Sequence, residues 1–264
     1  MKLRAAIAAV ATVPLAVGLA ACGNDAKPEA TGYKPSAPAS TPVATNTAAP
    51  VKPPQVAHLN RVTFVPAMNA AITKQKSWRV IGKMTANGTT VLTMDGYQTA
   101  KPLAMSMTMT GAAFQGKTAK MVMVKGTGYL SMPGVTPAGK YLKIDAGASG
   151  ELGETLESGD PTKIFKSFGS SLGSVKFVRT ETIGSEKLDR YAVTVNTAKA
   201  LAAQGKKVPA GVPKTLTYTM WMDKSHLVRR LSFDLGGVSM VMTMSDYNKP
   251  VSITAPPASK VVSR

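Results

Sequence analysis

The chain has 264 residues, and its 32 Lys and Arg residues against 14 Asp and Glu residues give a formal net charge of +18. Aromatic residues make up only 6% of the sequence, so the basic side chains are not interleaved with aromatic ones as in typical nucleic-acid-binding surfaces. One cysteine excludes an intramolecular disulfide, and two histidines are too few for a histidine-based metal site. The composition therefore predicts no nucleic-acid partner, no metal and no cofactor.

The first 22 residues have the pattern of a secretory signal. Lys2 and Arg4 precede an apolar run over residues 5–20, which is short for a membrane-spanning helix of about 20 apolar residues. The run ends in Leu-Ala-Ala-Cys at residues 19–22, which resembles the processing site of bacterial lipoproteins. That resemblance implies removal of residues 1–21, a diacylglyceryl group on the sulfur of Cys22, and anchoring at the extracytoplasmic side of the cell membrane. The alternative is an ordinary secretory signal that ends near a cysteine.

The mature chain divides by composition into a tether and a folded part. Residues 22–58 are rich in Ala, Pro, Thr and Ser with almost no large apolar side chains, so we expect a disordered tether. Residues 59–257 are numerous enough for one domain with its own core, and residues 258–264 form a short tail. A basic surface outside the cytoplasm meets anionic phospholipid headgroups or acidic wall polymers.

The folded part begins with helical periodicity and continues with strand alternation. Phe64, Met68 and Ile72 recur at helical spacing within residues 64–76, and Thr63 is the predicted N-cap. Short alternating segments follow, separated by turn residues. They predict about eleven strands, at residues 78–86, 90–98, 103–110, 120–125, 128–132, 140–144, 175–183, 188–195, 216–222, 227–235 and 238–245.

Two further helical segments interrupt these strands. Asp160-Pro161 supplies a capping carboxylate and an N1 proline ahead of Ile164, Phe165 and Phe168, and the helix is expected to end near Gly169. Asn196 precedes a second helix over residues 197–204, followed by Gly205. Many strands with few helices predict an α+β fold: one large curved antiparallel sheet, a half-open barrel, with the helices covering its concave face.

The placement of the fifteen methionines is the most informative feature for function. Methionines that alternate along a strand line one face of the sheet, and methionine adapts to apolar partners of varied shape. We predict an apolar groove between that face and the helices. Its predicted lining is Met105, Met107, Met109, Met121, Met123, Met220, Met240, Met242 and Met244 on the strands, and Phe64, Met68, Ile72, Ile164, Phe165 and Phe168 on the helices. The alternative is a closed core in which methionine fills gaps.

Several stretches resemble the actinobacterial LppX/LprAFG-type lipoproteins and, more distantly, the LolA-like carriers of lipids and lipoproteins. They are residues 160–168, Gly-Ser-Glu-Lys-Leu-Asp-Arg-Tyr at 184–191, Trp-Met-Asp-Lys at 221–224, Leu-Val-Arg-Arg-Leu at 227–231, Lys-Pro-Val at 249–251 and Ala-Pro-Pro at 255–257. The resemblance implies a half-open barrel that holds acylated lipids or glycolipids under its helices. This chain uses methionine where the family would lead us to expect Leu, Val and Ile, so the identity of the lipid does not carry over.

The sequence has no catalytic signature. Asp223, Ser225 and His226 lie within one predicted turn, whereas the partners of a catalytic triad converge from separate segments. The other histidine, His58, lies in the tether. We therefore predict a protein that is not an enzyme.

Taken together, these patterns predict a monomeric, membrane-anchored lipoprotein that binds acylated lipids or glycolipids and carries or presents them. Lys117, Lys120 and Lys125 are candidate contacts for a headgroup at the rim of the groove. The alternative function is a non-enzymatic sensor or interaction lipoprotein of the cell envelope, which binds a protein or the wall.

Overall fold

One open sheet of twelve strands dominates the computed structural model, which describes residues 58–144, 168–203, 208 and 212–262. The strands are β1 (Ser77–Ala86), β2 (Thr89–Thr99), β3 (Ala104–Thr110), β4 (Thr118–Val124), β5 (Thr127–Ser131), β6 (Tyr141–Ile144), β7 (Leu172–Ile183), β8 (Glu186–Asn196), β9 (Thr215–Met222), β10 (Val228–Leu235), β11 (Val238–Ser245) and β12 (Val261–Val262). Their order across the sheet is β12-β6-β5-β4-β3-β2-β1-β11-β10-β9-β8-β7. Because β12 and β7 are the two edges, the sheet is not closed into a barrel.

The predicted fold class is confirmed, with one addition. All eleven predicted strands are present, and their bounds agree with the prediction to within three residues. The twelfth strand pairs parallel to β6, which makes the sheet mixed. The sequence does not predict this strand because two residues are too few to show alternation, and both lie in the expected C-terminal tail.

Glycine-containing turns set the register of the central hairpins. Asn87-Gly88 joins β1 to β2 and Gly236-Gly237 joins β10 to β11, and all four residues have positive φ angles. Two consecutive positive φ angles are typical of the type I′ turn, whose twist matches that of a two-stranded ribbon. The two turns lie side by side, since the backbone N–H of Asn87 donates to the carbonyl of Gly237 at 2.8 Å.

Helix α1 (Phe64–Ile72) is shorter than predicted and is capped differently. It ends at Ile72, four residues before the predicted end. Thr63 is the N-cap residue, as predicted, but its side chain makes no capping hydrogen bond; its hydroxyl instead accepts from the backbone N–H of Asn60 at 3.0 Å. The side chain of Asn60 binds the backbone just before the helix: its Oδ1 accepts from the N–H groups of Val62 and Thr63 at 2.9 and 3.2 Å.

The other helices are short in the part of the chain that the structure describes. Residues 168–171 form one helical turn, α2, which extends past Gly169. Helix α3 (Thr197–Ala202) begins as predicted at Asn196, whose Oδ1 accepts from the N–H of Lys199 at 2.9 Å. Several predicted features lie outside the described residues: the signal and Cys22, residues 22–57 of the tether, Asp160-Pro161, Ile164, Phe165 and Gly205.

The main core lies between α1 and one face of the sheet. Phe64, Met68, Ala71 and Ile72 are the buried residues of α1 and join a cluster of strand side chains. A second, smaller cluster on β5 and β6 consists of Leu130, Leu142 and Ile144. Within the ranges described, no helix is long and apolar enough to cross a membrane.

Candidate functional site

The sheet register places the predicted methionines on one face, called here the methionine face. Met105 lies opposite Met123 and Met107 opposite Met121 across the β3–β4 pair. Met220 of β9 and Met242 of β11 both lie opposite Leu231 of β10. Met242 also lies opposite Gly82 of β1, which places the methionines of β9 and β11 on the same face. Met84 and Met94, which were not predicted, belong to this face as well, opposite Met240 and Met109.

Burial is uneven across the methionine face. The methionines of β9 and β11 are almost fully buried, with Met220 and Met244 only 1% exposed. Met109, Met121 and Met123 on β3 and β4 are half-buried. Among the methionines of this face, those with area still exposed therefore lie on β3 and β4.

Thirteen of the fifteen predicted lining residues come together in the main core or against it. Those buried are Phe64, Met68, Ile72, Met105, Met107, Met220, Met240, Met242 and Met244, and those packed against them are Met109, Met121, Met123 and Phe168. The other two, Ile164 and Phe165, lie outside the described residues. Met121 also contacts the smaller cluster on β5 and β6, so it connects the two apolar regions.

Aromatic rings attach the helices to the methionine face. Phe64 of α1 meets the ring of Tyr191 edge-on, with centroids 5.6 Å apart. Phe168 of α2 contacts Tyr218 in the same way at 6.4 Å. Edge-to-face pairs of this kind contribute about 0.5–1.5 kcal/mol beyond the area they bury. Sequence reasoning did not place either tyrosine in the site, although Tyr218 lies between Thr217 and Thr219 on its strand.

The interior next to this face contains few polar groups. Among the described residues the buried polar side chains are Ser77, Ser171 and Thr197, and none of them carries a charge. Burial raises the pKa of both Tyr191 and Tyr218, so their phenols stay neutral. The site is built to exclude water and charge.

One polar pair lies on the methionine face and was not predicted. The side-chain oxygen of Gln98 accepts a hydrogen bond from the indole N–H of Trp78 at 2.9 Å. Its amide nitrogen donates to the sulfur of Met105 at 3.2 Å. Trp78 is fully buried, and this pair satisfies its single donor without a water molecule.

The three lysines considered for a headgroup do not converge. Lys117 precedes β4, Lys125 follows it, and Lys120 lies on the face opposite to Met121. All three are exposed. A seven-residue strand is about 20 Å long, so the structure does not bring them to one site.

The Asp-Ser-His group has a structural role in the turn between β9 and β10. The Oδ1 atom of Asp223 accepts from the backbone N–H groups of Ser225 and Leu227 at 2.8 and 3.1 Å. Its Oδ2 atom accepts from Arg229 Nε at 3.0 Å. The carboxylate is therefore occupied by the turn and by Arg229. No group of three possible metal ligands occurs in the ranges described.

Comparison with solved structures shows which proteins share this fold. Mycobacterium tuberculosis lipoprotein LppX superposes with a TM-score of 0.51 at 18% sequence identity, over 74% of this chain and 98% of LppX. LprF from Mycobacterium bovis gives a TM-score of 0.52 at 14% identity, over 74% and 96% of the two chains. The predicted resemblance is thus confirmed as a shared fold. No family model and no curated protein sequence matches the chain.

Proposed function

We propose that this protein is a lipid-binding lipoprotein, which holds the acyl chain of a lipid or glycolipid against the β3–β4 side of the methionine face. In this proposal Cys22 carries the lipid anchor, and the protein carries or presents its ligand at the extracytoplasmic side of the cell membrane. The protein acts without catalysis. The fold of the lipoproteins LppX and LprF supports the proposal.

The half-buried methionines of β3 and β4 are the observation that carries the proposal. Met109, Met121 and Met123 present apolar area next to a charge-free core. Unbranched thioether side chains can change rotamer at little cost, so they can follow the shape of a hydrocarbon chain. A ligand placed there also meets the small cluster of β5 and β6 through Met121.

Energetics limit what such a site can do. Each buried methylene contributes about 0.8 kcal/mol, so a 16-carbon chain gains roughly 12 kcal/mol on leaving water. The bilayer offers the same gain, so transfer of the chain from a membrane to the protein is close to neutral. Extraction then depends on the fit of the site and on headgroup contacts, which suits a carrier that must also release its ligand.

Native mass spectrometry tests the proposal directly. The mature chain, residues 22–264 with Cys22→Ser, would be expressed in a bacterial host and purified without detergent. We expect adducts with the masses of acylated lipids and saturable uptake of a fluorescent fatty-acyl probe. A ligand-free protein that also fails to take up the probe would contradict the proposal and favour a sensor or interaction lipoprotein.

A matched pair of variants locates the site. Met121→Lys places a charge on the methionine face, whereas Val122→Lys places the same charge on the opposite face of the same strand. We expect probe uptake to fall at least tenfold in Met121→Lys and to stay within twofold of the parent in Val122→Lys. Circular dichroism must show a folded sheet in both variants. Equal effects of the two substitutions would place the ligand elsewhere.

A further inference from the structure

Two arginines flank a tryptophan on the face of the sheet opposite to the methionine face. Arg190 on β8 and Arg230 on β10 each lie opposite Trp221 on β9. The guanidinium carbons lie 5.4 and 5.0 Å from the centroid of the indole ring, within the range of cation–π contacts. Trp221 is buried, and its indole N–H donates to the carboxylate of Glu181. We call Arg190, Trp221 and Arg230 the Arg–Trp–Arg stack.

Neither arginine of the stack forms an ion pair with a carboxylate of the described residues. Three other arginines have carboxylate partners: Arg79, Arg179 and Arg229. Among the described residues, none of the ion pairs involves Arg190 or Arg230. The Nε atoms of both are buried and make no hydrogen bond. Arginine does not lose its proton, so both side chains stay charged, and Glu181 gives Arg190 electrostatic attraction without an ion pair.

The carboxylate that accepts from Trp221 also pairs with another arginine. Glu181 accepts a hydrogen bond from Trp221 and also forms an ion pair with Arg179 at 2.6 Å. These contacts, first the hydrogen bond from the indole and then that from Arg179, hold the pKa of Glu181 below its usual range. Arg179, Arg190 and Arg230 thus share the one carboxylate of Glu181, which leaves two positive charges in excess beside the indole ring.

We propose that the Arg–Trp–Arg stack binds a phosphate group, either on the headgroup of a lipid or on a soluble phosphate ester. A guanidinium presents a planar fork of donors that matches phosphate oxygens, and two guanidinium groups can contact one phosphate group together. Contact with the buried ring limits the freedom of both side chains before a ligand arrives, which lowers the entropic cost of binding. The stack lies on the opposite face of the sheet from the proposed acyl site. Phosphate binding and acyl-chain binding can therefore be confirmed or refuted independently.

The two tryptophans of the chain allow a direct measurement. Fluorine NMR of the Cys22→Ser mature chain, labelled with 5-fluorotryptophan, should give two resonances, one from Trp221 and one from Trp78 in the core. Trp221→Phe assigns them. Inorganic phosphate is titrated against sodium chloride at matched ionic strength. We expect a saturable shift of the Trp221 resonance with phosphate alone, while the Trp78 resonance stays in place.

Vesicles separate the two sources of phosphate. Co-sedimentation with vesicles of phosphatidylglycerol and phosphatidylcholine is compared with vesicles of phosphatidylcholine alone. Sedimentation that requires Arg190 and Arg230 identifies a lipid headgroup. If phosphate shifts the Trp221 resonance but sedimentation does not change when Arg190 or Arg230 is replaced, the ligand is a soluble phosphate ester.

Charge-matched variants separate the site from general basicity. Arg190→Gln and Arg230→Gln should each weaken the response about tenfold or more, since each removes charge-assisted hydrogen bonds. Arg79→Gln removes the same charge from an arginine that pairs with Asp95 and should change the response less than twofold. The proposal is overturned if wild-type Trp221 does not respond to phosphate and vesicle binding is the same in all variants.

Discussion

Gly96 offers the sharpest test of how tightly the methionine face is packed. A Cβ atom added at Gly96 would lie 2.2 Å from the carbonyl oxygen of Ser106 and 2.9 Å from the Cα atom of Met107. Both obstacles are backbone atoms of β3, so β2 and β3 would have to move apart. At Gly82 on β1, an added Cβ meets the Cγ and Sδ atoms of Met94 at 2.5 and 2.8 Å. These are side-chain rather than backbone atoms, so Met94 can yield by changing rotamer, at a smaller cost than moving β3 away from β2.

The two substitutions should therefore change the free energy of unfolding by different amounts. Overpacking against backbone costs about 1–3 kcal/mol, and replacing glycine by alanine returns about 0.4–1 kcal/mol by restricting the unfolded chain. We expect Gly96→Ala to lower the free energy of unfolding by about 1–2 kcal/mol. Gly82→Ala should change it by less than about 0.5 kcal/mol. In a domain of this size, each kcal/mol moves the melting temperature by about 2–4 °C.

Urea unfolding followed by circular dichroism measures both variants on the same scale. Equal m-values would show that the denatured states are comparable. The reasoning is refuted if Gly96→Ala is as stable as the parent chain, because β2 and β3 would then have room that these distances deny. A large loss in Gly82→Ala would instead show that Met94 is locked in place.

Three further predictions concern stability. Phe64→Ala, which removes a fully buried ring from α1, should cost about 3–5 kcal/mol in urea unfolding, and a loss below about 1 kcal/mol would show that α1 is not fixed through this side chain. Asn196→Ala should cost about 1 kcal/mol by removing the cap of α3, whereas Asn196→Asp should keep most of it. The hydrogen bond from Trp221 lowers the pKa of Glu181 in the folded state, so its carboxylate stabilises above the unfolded pKa and loses that effect as the pH falls. Glu181→Gln should thus be less stable than the parent at neutral pH, and the difference in the free energy of unfolding should shrink as the pH is lowered below the ordinary pKa of glutamate.

The sheet could be predicted because its signals are local. Alternation over five or more residues and the Asn87-Gly88 and Gly236-Gly237 turns are both visible in a short window. β12 could not be predicted, since its two residues gain strand geometry only by pairing with β6. The end of α1 is not visible in the sequence because residues 73–76 are polar and include no Gly or Pro to mark a stop, although the chain turns there into β1.

The candidate site was only partly predictable. Alternation identified the methionine face because it depends on neighbours two residues apart. It could not identify the Gln98 contact with Trp78, which joins residues across two strands. The Arg–Trp–Arg stack needs the register of three strands, and no local pattern reports that register.

The methionines of this face differ in how much of their area is exposed. Met220 and Met244 have almost no exposed area left, so they already make their contacts within the protein and can gain little from a hydrocarbon chain. Only side chains that still face solvent can add apolar burial, at about 25 cal/mol per Å², when a ligand arrives. Met109, Met121 and Met123 meet that condition, whereas Met105 and Met107, also on β3, are buried and do not. One residue type can thus fill the core at buried positions and leave apolar area exposed at others on the same face, because burial rather than composition decides what each side chain can contact.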